Sequence, residues 1–131
     1  MKKIGFIFVL IFLSPMARGQ STPQVNEYAA IQKLISTSKD LSNFYLFCNK
    51  STACQAVALG SKACGGPSDY LVVSINNRNY QEIKYLAARS TIREQRYNER
   101  YDVISDCAYI ELPNTNCVNN RCVEEVVTEG Q

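Results

Sequence analysis

Residues 61–74, SKACGGPSDYLVVS, bring a cysteine, a Gly-Gly-Pro turn and an apolar run into one short stretch. A phosphate-binding loop presents several backbone amides, but here the glycine pair is followed by Pro67, which has no amide hydrogen. A nucleophilic Cys64 would need a base, and the chain has no histidine. The stretch therefore predicts a turn held by a disulfide, followed by a strand over residues 70–73.

The six cysteines form two groups of three on either side of residues 65–106: Cys48, Cys54, Cys64, Cys107, Cys117 and Cys122. In an exported chain an even number of cysteines predicts disulfides, here three of them. Because each group has an odd number of members, complete pairing requires at least one bridge between the groups. Such a bridge stabilises the fold by about 4 kcal/mol in the chain-entropy model.

Residues 117–122, CVNNRC, predict a β-hairpin whose two-residue turn is formed by Asn119 and Asn120, since asparagine tolerates positive φ. This turn would set Cys117 opposite Cys122, close enough to be bridged. We therefore expect a disulfide between Cys117 and Cys122. Cys107 is then the member of the second group expected to reach the first.

The N-terminus has the order of a signal peptide, with a basic start, an apolar run at residues 4–13, and small residues at Ala17 and Gly19. The sequence predicts a signal peptide at residues 1–19 and a single disulfide-rich domain at residues 20–131. A membrane anchor is the alternative, but the apolar run is well short of the roughly twenty residues needed to cross a bilayer. We expect an exported protein, periplasmic or secreted, that is not inserted in the membrane after cleavage.

Composition argues against several functional classes. Cleavage after Gly19 would leave 11 basic and 12 acidic residues, a net charge of −1, which gives no general attraction to nucleic acid or anionic lipid. The lack of histidine removes the usual general base, and only Cys117 and Cys122 have a spacing typical of zinc ligands. We expect no metal, no cofactor, no nucleic-acid partner and no enzymatic activity.

The longest predicted element is a helix that begins after Asn79 and continues to about Tyr101. Asn79 is predicted to cap it, with Glu82 completing a capping box. One face of this helix is the predicted core stripe: Ile83, Leu86, Ala87, Ser90, Tyr97 and Tyr101. The other predicted elements are a helix over residues 25–35 and strands over residues 55–59, 70–73 and 108–112.

These elements predict a small α+β domain, with one long helix packed on a short, mostly antiparallel sheet and disulfides at its edges. Four residues spaced four, three and four apart lie on the helix face opposite the core stripe: Tyr85, Arg89, Ile92 and Arg96. Tyrosine and arginine are frequent hot spots of interfaces, so this face is the candidate partner-binding site. The alternative is that the N-terminal helix covers Tyr85 and Ile92.

A second mode of binding would use an exposed loop braced by a disulfide, as in many small secreted protease inhibitors. Lys62 and Arg121 each lie near a cysteine in a predicted turn, where a trypsin-like pocket could accept a basic side chain. The alternative is that both are ordinary solvated side chains of loops.

Four segments together resemble a pattern found in small exported bacterial proteins rich in cysteine: residues 62–67, 70–74, 97–98 and 105–108. The resemblance covers roughly residues 54–122, and its most specific part is the motif K-x-C-G-G-P-x-x-Y-L. The family is uncharacterised, so the resemblance implies an exported bacterial protein and no activity.

We therefore expect an exported, non-enzymatic protein-binding module of unknown partner, with inhibition of a hydrolase as one form of that function. One alternative is a structural or stress-related protein of the cell envelope without a dedicated ligand. A more remote alternative is a thiol enzyme that uses Cys64.

Overall fold

The chain folds into two α-helices and four β-strands in a computed structural model, which describes residues 22–125. In chain order these are α1 (Pro23–Phe44), β1 (Cys54–Leu59), β2 (Asp69–Ser74), α2 (Tyr80–Arg100), β3 (Thr115–Val118) and β4 (Arg121–Glu124). The α+β class is confirmed. The expectation of one long helix on one sheet is wrong, because the two helices have 22 and 21 residues and the strands form two separate antiparallel pairs. The predicted signal peptide at residues 1–19 lies outside the described residues.

Helix α1 is twice as long as its apolar pattern predicts. Pro23 occupies the first turn, where its missing amide is harmless, and the Thr22 hydroxyl accepts a hydrogen bond from the Val25 amide at 3.4 Å. Serines continue the buried stripe beyond the apolar residues. The Ser42 hydroxyl donates to the Val72 carbonyl of β2 at 2.6 Å, which satisfies the buried oxygen.

Helix α2 begins and ends within one residue of the prediction, but its predicted cap is wrong. Asn79 has φ −93° and ψ 10° rather than an extended backbone, and its side chain makes no capping bond. Asn77 orders the start of the helix instead, because its side-chain oxygen accepts from the Asn79 amide at 2.9 Å. Its amide group also donates to the carbonyls of Leu41 and Tyr45, which ties the end of α1 to the start of α2.

The main core lies between the two helices and the β1–β2 hairpin. It is formed by five buried residues: Leu59, Leu71, Val73, Ile83 and Ala87. The predicted core stripe of α2 is buried at Ile83, Ala87, Ser90 and Tyr97. The N-terminal part of α1 packs beside the C-terminal part of α2, where the Tyr28 and Tyr97 ring centroids are 5.5 Å apart and Arg100 pairs with Glu27 at 2.8 Å.

The β3–β4 hairpin has the predicted turn and register. Asn119 and Asn120 have φ values of 50° and 59°, and Cys117 lies opposite Cys122. The predicted bond between these two cysteines is wrong, because their bridges are Cys48–Cys117 and Cys54–Cys122. The opposed cysteines share one face of the hairpin, and that face packs on the segment between α1 and β1.

This segment also hydrogen-bonds to the hairpin. The Cys122 amide donates to the Leu46 carbonyl at 2.8 Å, and the Cys48 amide donates to the Asn120 carbonyl at 3.0 Å. A second, smaller core surrounds the two bridges and consists of Leu46, Cys48, Ala53, Cys54 and Cys122. The hairpin is therefore held by backbone bonds, burial and two covalent links at once.

The third disulfide, Cys64–Cys107, confirms that Cys107 reaches the first group, so all three bridges join the two groups. The strand predicted over residues 108–112 is wrong, because residues 103–114 contain no helix, strand or turn. A strand needs a neighbouring strand, and within residues 22–125 no strand pairs with residues 108–112.

We expect Gly60→Ala to lower the free energy of unfolding by about 2 kcal/mol or more. Gly60 has φ +63°, and an added Cβ would collide with the Glu94 carboxylate and lie 2.9 Å from the Ser68 hydroxyl. Gly66→Ala is the matched control, since Gly66 has φ +80° but open space around a Cβ. Urea unfolding followed by circular dichroism measures both losses, and an equal loss in the two variants would contradict the packing argument.

Candidate functional site

The predicted partner-binding face of α2 is solvent-accessible. Tyr85 is 58% exposed and Ile92 is 51% exposed, and Arg96 is exposed beside them. The half-buried Arg89 places its guanidinium 5.5 Å from the Tyr85 ring centroid and donates to the tyrosine hydroxyl at 3.2 Å. The alternative in which α1 covers Tyr85 and Ile92 is wrong. The four residues therefore form one exposed face, and its binding role stays a prediction.

The loop that follows β1 is a closed turn. Gly65 and Gly66 have φ values of +96° and +80°, which glycine adopts without strain. The Gly65 amide donates to the Lys62 carbonyl at 3.0 Å, and the Lys62 amide donates to the Gly66 carbonyl at 2.9 Å. These two bonds close the turn on itself. Cys64 has its sulfur in a disulfide, so it offers no thiolate.

A groove of about 750 Å³ separates this turn from the C-terminal half of α2. Its walls are formed largely by the glycine turn, by polar residues of the helix such as Gln95 and Asn98, and by Asp102 just after the helix ends. The Glu94 carboxylate of the same helix accepts hydrogen bonds from the Ser61 amide at 2.7 Å and the Ser68 hydroxyl at 2.8 Å. These bonds give Glu94 a structural role, which is to hold the turn against the helix.

The Lys62 side chain binds residues 106 and 108, a contact that the sequence did not predict. Its side chain is only 16% exposed, and its Nζ donates to Asp106 Oδ1 at 3.0 Å and to the Ala108 carbonyl at 2.7 Å. It is therefore not presented to a partner's pocket, contrary to that sequence hypothesis. The second basic candidate, Arg121, is exposed at the start of β4.

Residues 103–114, which we name the braced loop, are fixed at both ends. Upstream, the Cys64–Cys107 bridge and the Lys62 contacts hold the loop, and the Asp106 carboxylate also accepts from the Ala108 amide at 3.1 Å. Downstream, the Asn114 carbonyl accepts from the Glu125 amide at 2.8 Å, and β3 begins at the next residue. The loop thus runs between two anchored points of the scaffold.

The braced loop carries large apolar side chains into solvent. Ile104 is 93% exposed, Tyr109 is 84% exposed and Leu112 is 58% exposed. The backbone from Tyr109 to Leu112 makes no hydrogen bond to any other part of residues 22–125. Sequence reasoning missed this surface because it assigned the apolar run to a paired strand. The signal that was available is Pro113, which ends the run and disfavours a central strand.

Three buried sulfur atoms, those of Cys48, Cys54 and Cys122, lie within 4.8 Å of one another, the kind of spacing that a metal site requires. All three are already bonded in disulfides, so they offer no thiolate ligands in this state.

No family model, no curated protein and no solved structure matches this chain. The likeness to an uncharacterised exported family therefore stays a prediction. Over residues 22–125, neither helix is apolar enough along its length to cross a membrane.

We expect Lys62→Met to raise the pKa of Asp106 toward its ordinary value of 3.8. The hydrogen bond from Lys62, then that from the Ala108 amide, and then the attraction of the lysine charge hold this pKa below that value. Because folding lowers the pKa of Asp106, the stabilisation that its ionised carboxylate contributes is fully present when the pH is above the ordinary pKa. It is lost as the pH falls through the lowered pKa of the folded protein.

Titration of the Asp106 carboxyl carbon by NMR measures the shift. Lys84→Met is the matched control, because Lys84 lies over Tyr80 on α2 and its removal should leave Asp106 unchanged. An Asp106 pKa that is the same with and without the Lys62 amine would contradict the contact.

We expect limiting reductant to open the Cys64–Cys107 bridge before the other two. Both of its cysteines are exposed, whereas Cys48, Cys54 and Cys122 are buried, and thiol exchange requires access to a sulfur atom. Alkylation followed by peptide mapping should find label first at Cys64 and Cys107. In denaturant this order should disappear. Label in the native protein at Cys48, Cys54, Cys117 or Cys122 as early as at Cys64 and Cys107 would contradict the prediction.

Proposed function

We propose that this chain is an exported, non-enzymatic protein-binding module that contacts its partner through the braced loop. The observation that carries the proposal is the exposure of Ile104, Tyr109 and Leu112 on a loop that is covalently fixed. Single exposed apolar residues are common on protein surfaces, but several grouped together mark interaction sites, and these three lie on one short loop.

The bracing supports binding because it lowers the entropy lost when a partner is bound. A free loop must be ordered at the moment of association, and that ordering reduces affinity. The disulfide at Cys107 and the two contacts of the Lys62 amine fix the upstream half of the loop beforehand. The same groups would be superfluous in a loop that merely connects α2 to β3.

Export is supported by three disulfides, which persist in oxidising compartments and are rare in the cytosol. The predicted signal peptide at residues 1–19 supports the same localisation, periplasmic or secreted. The absence of histidine from the whole sequence supports a non-enzymatic role, because it removes the commonest general base.

The candidate face of α2 supports a second contact region of the same kind. Arg89 is held against Tyr85 by a cation–π contact and a hydrogen bond, so this pair is also ordered before binding. The face differs from the braced loop in its positive charge, since Arg89 and Arg96 flank Ile92 along the helix. A partner that uses it would present acidic groups.

We expect the triple variant Ile104→Ser, Tyr109→Ser and Leu112→Ser to lose about 100-fold or more in affinity for the partner. The partner is first identified by capture on the immobilised chain from the extracellular and envelope fractions of producing cells. Its Kd is then measured with purified protein. Circular dichroism and a thiol count verify that each variant is folded and fully bridged.

The matched control is Arg89→Ala with Arg96→Ala, which changes the α2 face and leaves the loop intact. Loss of binding in this control alone would move the site to α2 and contradict the loop assignment. Absence of any specific partner for the intact chain would favour the structural or stress-related envelope protein instead.

A further inference from the structure

Resting on the proposed binding function, we propose that the braced loop is a substrate-like strand that blocks an endopeptidase, with Tyr109 entering an apolar primary pocket. The partner is an endopeptidase whose active-site cleft binds a peptide as an added strand. Its primary pocket accepts an aromatic ring next to the peptide bond that the enzyme cleaves.

The backbone of the loop is suited to strand addition. No residue between Tyr109 and Leu112 has positive φ, and the segment contains no turn or bend. Its amides and carbonyls make no hydrogen bond within residues 22–125, so they are available to a partner's strand. When a peptide adds to a sheet edge, the backbone bonds supply affinity and the pockets for its side chains supply specificity.

The side chains decide which pocket is complementary. Tyr109 is the most exposed aromatic residue of the described chain, and it lies two residues after the fixed Cys107. The basic residue nearest to the loop, Lys62, is turned inward to Asp106 and cannot reach a cleft. The loop therefore fits a pocket of the chymotrypsin type, an apolar slot, rather than the acidic pocket of a trypsin-like enzyme.

The disulfides would retain both products if the loop were cut. A break between Tyr109 and Ile110 leaves the new carboxyl end tied through Cys107 to Cys64, and the new amine end tied through Cys117 to Cys48. Both ends stay on one scaffold, so they cannot diffuse away from each other and the cut bond can be re-formed in the cleft. The two halves of a cut flexible peptide separate, and this difference separates an inhibitor from a substrate.

The test measures inhibition of purified chymotrypsin and trypsin by the full chain. We expect tight inhibition of chymotrypsin and none of trypsin. Tyr109→Lys should reverse this preference, because it replaces the ring with a side chain for the acidic pocket. The inhibition constant for chymotrypsin should rise by about 100-fold or more. The matched control is Phe44→Lys, the same replacement of an exposed ring by lysine at the end of α1 and outside both candidate surfaces, which should change neither constant.

Two results would overturn the inference. The first is the absence of inhibition by the intact chain together with no inhibition of trypsin by Tyr109→Lys. The second is rapid cleavage after Tyr109 with loss of inhibition.

The inhibition assay and partner capture together distinguish a wrong endopeptidase assignment from a wrong binding function. If neither enzyme is inhibited but partner capture still requires Ile104, Tyr109 and Leu112, the endopeptidase assignment fails and the binding module stands. If substitution of these residues changes neither assay, both proposals fail.

Discussion

Two disulfides hold this structure together. Both join the β3–β4 hairpin to residues 48–54, at and just before the start of β1. Cys117 and Cys122 face each other across β3 and β4. Their partners are Cys48, within the short connection between α1 and β1, and Cys54, the first residue of β1. The first bridge spans 69 residues of sequence, and such a closure stabilises a fold by about 4 kcal/mol in the chain-entropy model. The hairpin therefore cannot separate from the α1–β1 connection while either bond is intact.

The hairpin could be predicted from sequence, and its bonding could not. Asn119 and Asn120 specify a turn through local backbone preferences, and the turn fixes the register of Cys117 and Cys122. Their opposition suggested a mutual bond, but it also places both sulfur atoms on one face of the hairpin. Which cysteines meet that face depends on tertiary packing, and no local pattern records it.

Other differences between expectation and structure have the same origin. Helix α1 extends past its apolar pattern because Ser42 can be buried once β2 supplies the Val72 carbonyl as acceptor. Asn77 rather than Asn79 orders the start of α2 because the carbonyls at the end of α1 are within its reach. The face of α2 could be predicted from helical spacing alone. The exposure of the braced loop could not be predicted, because it depends on the lack of a neighbouring strand within residues 22–125.

The two candidate surfaces differ in what keeps them ordered. The α2 face lies on a helix whose opposite side is packed in the core, so its geometry does not depend on any disulfide. The braced loop is fixed upstream by an exposed bridge and downstream by a hairpin whose bridges are largely buried. Reduction would therefore remove the covalent part of the upstream brace and leave the contacts of Lys62 with Asp106 and Ala108, while the α2 face keeps its packing. A binding function of the loop that needs the full brace depends on an oxidising compartment, whereas a binding function of the helix does not.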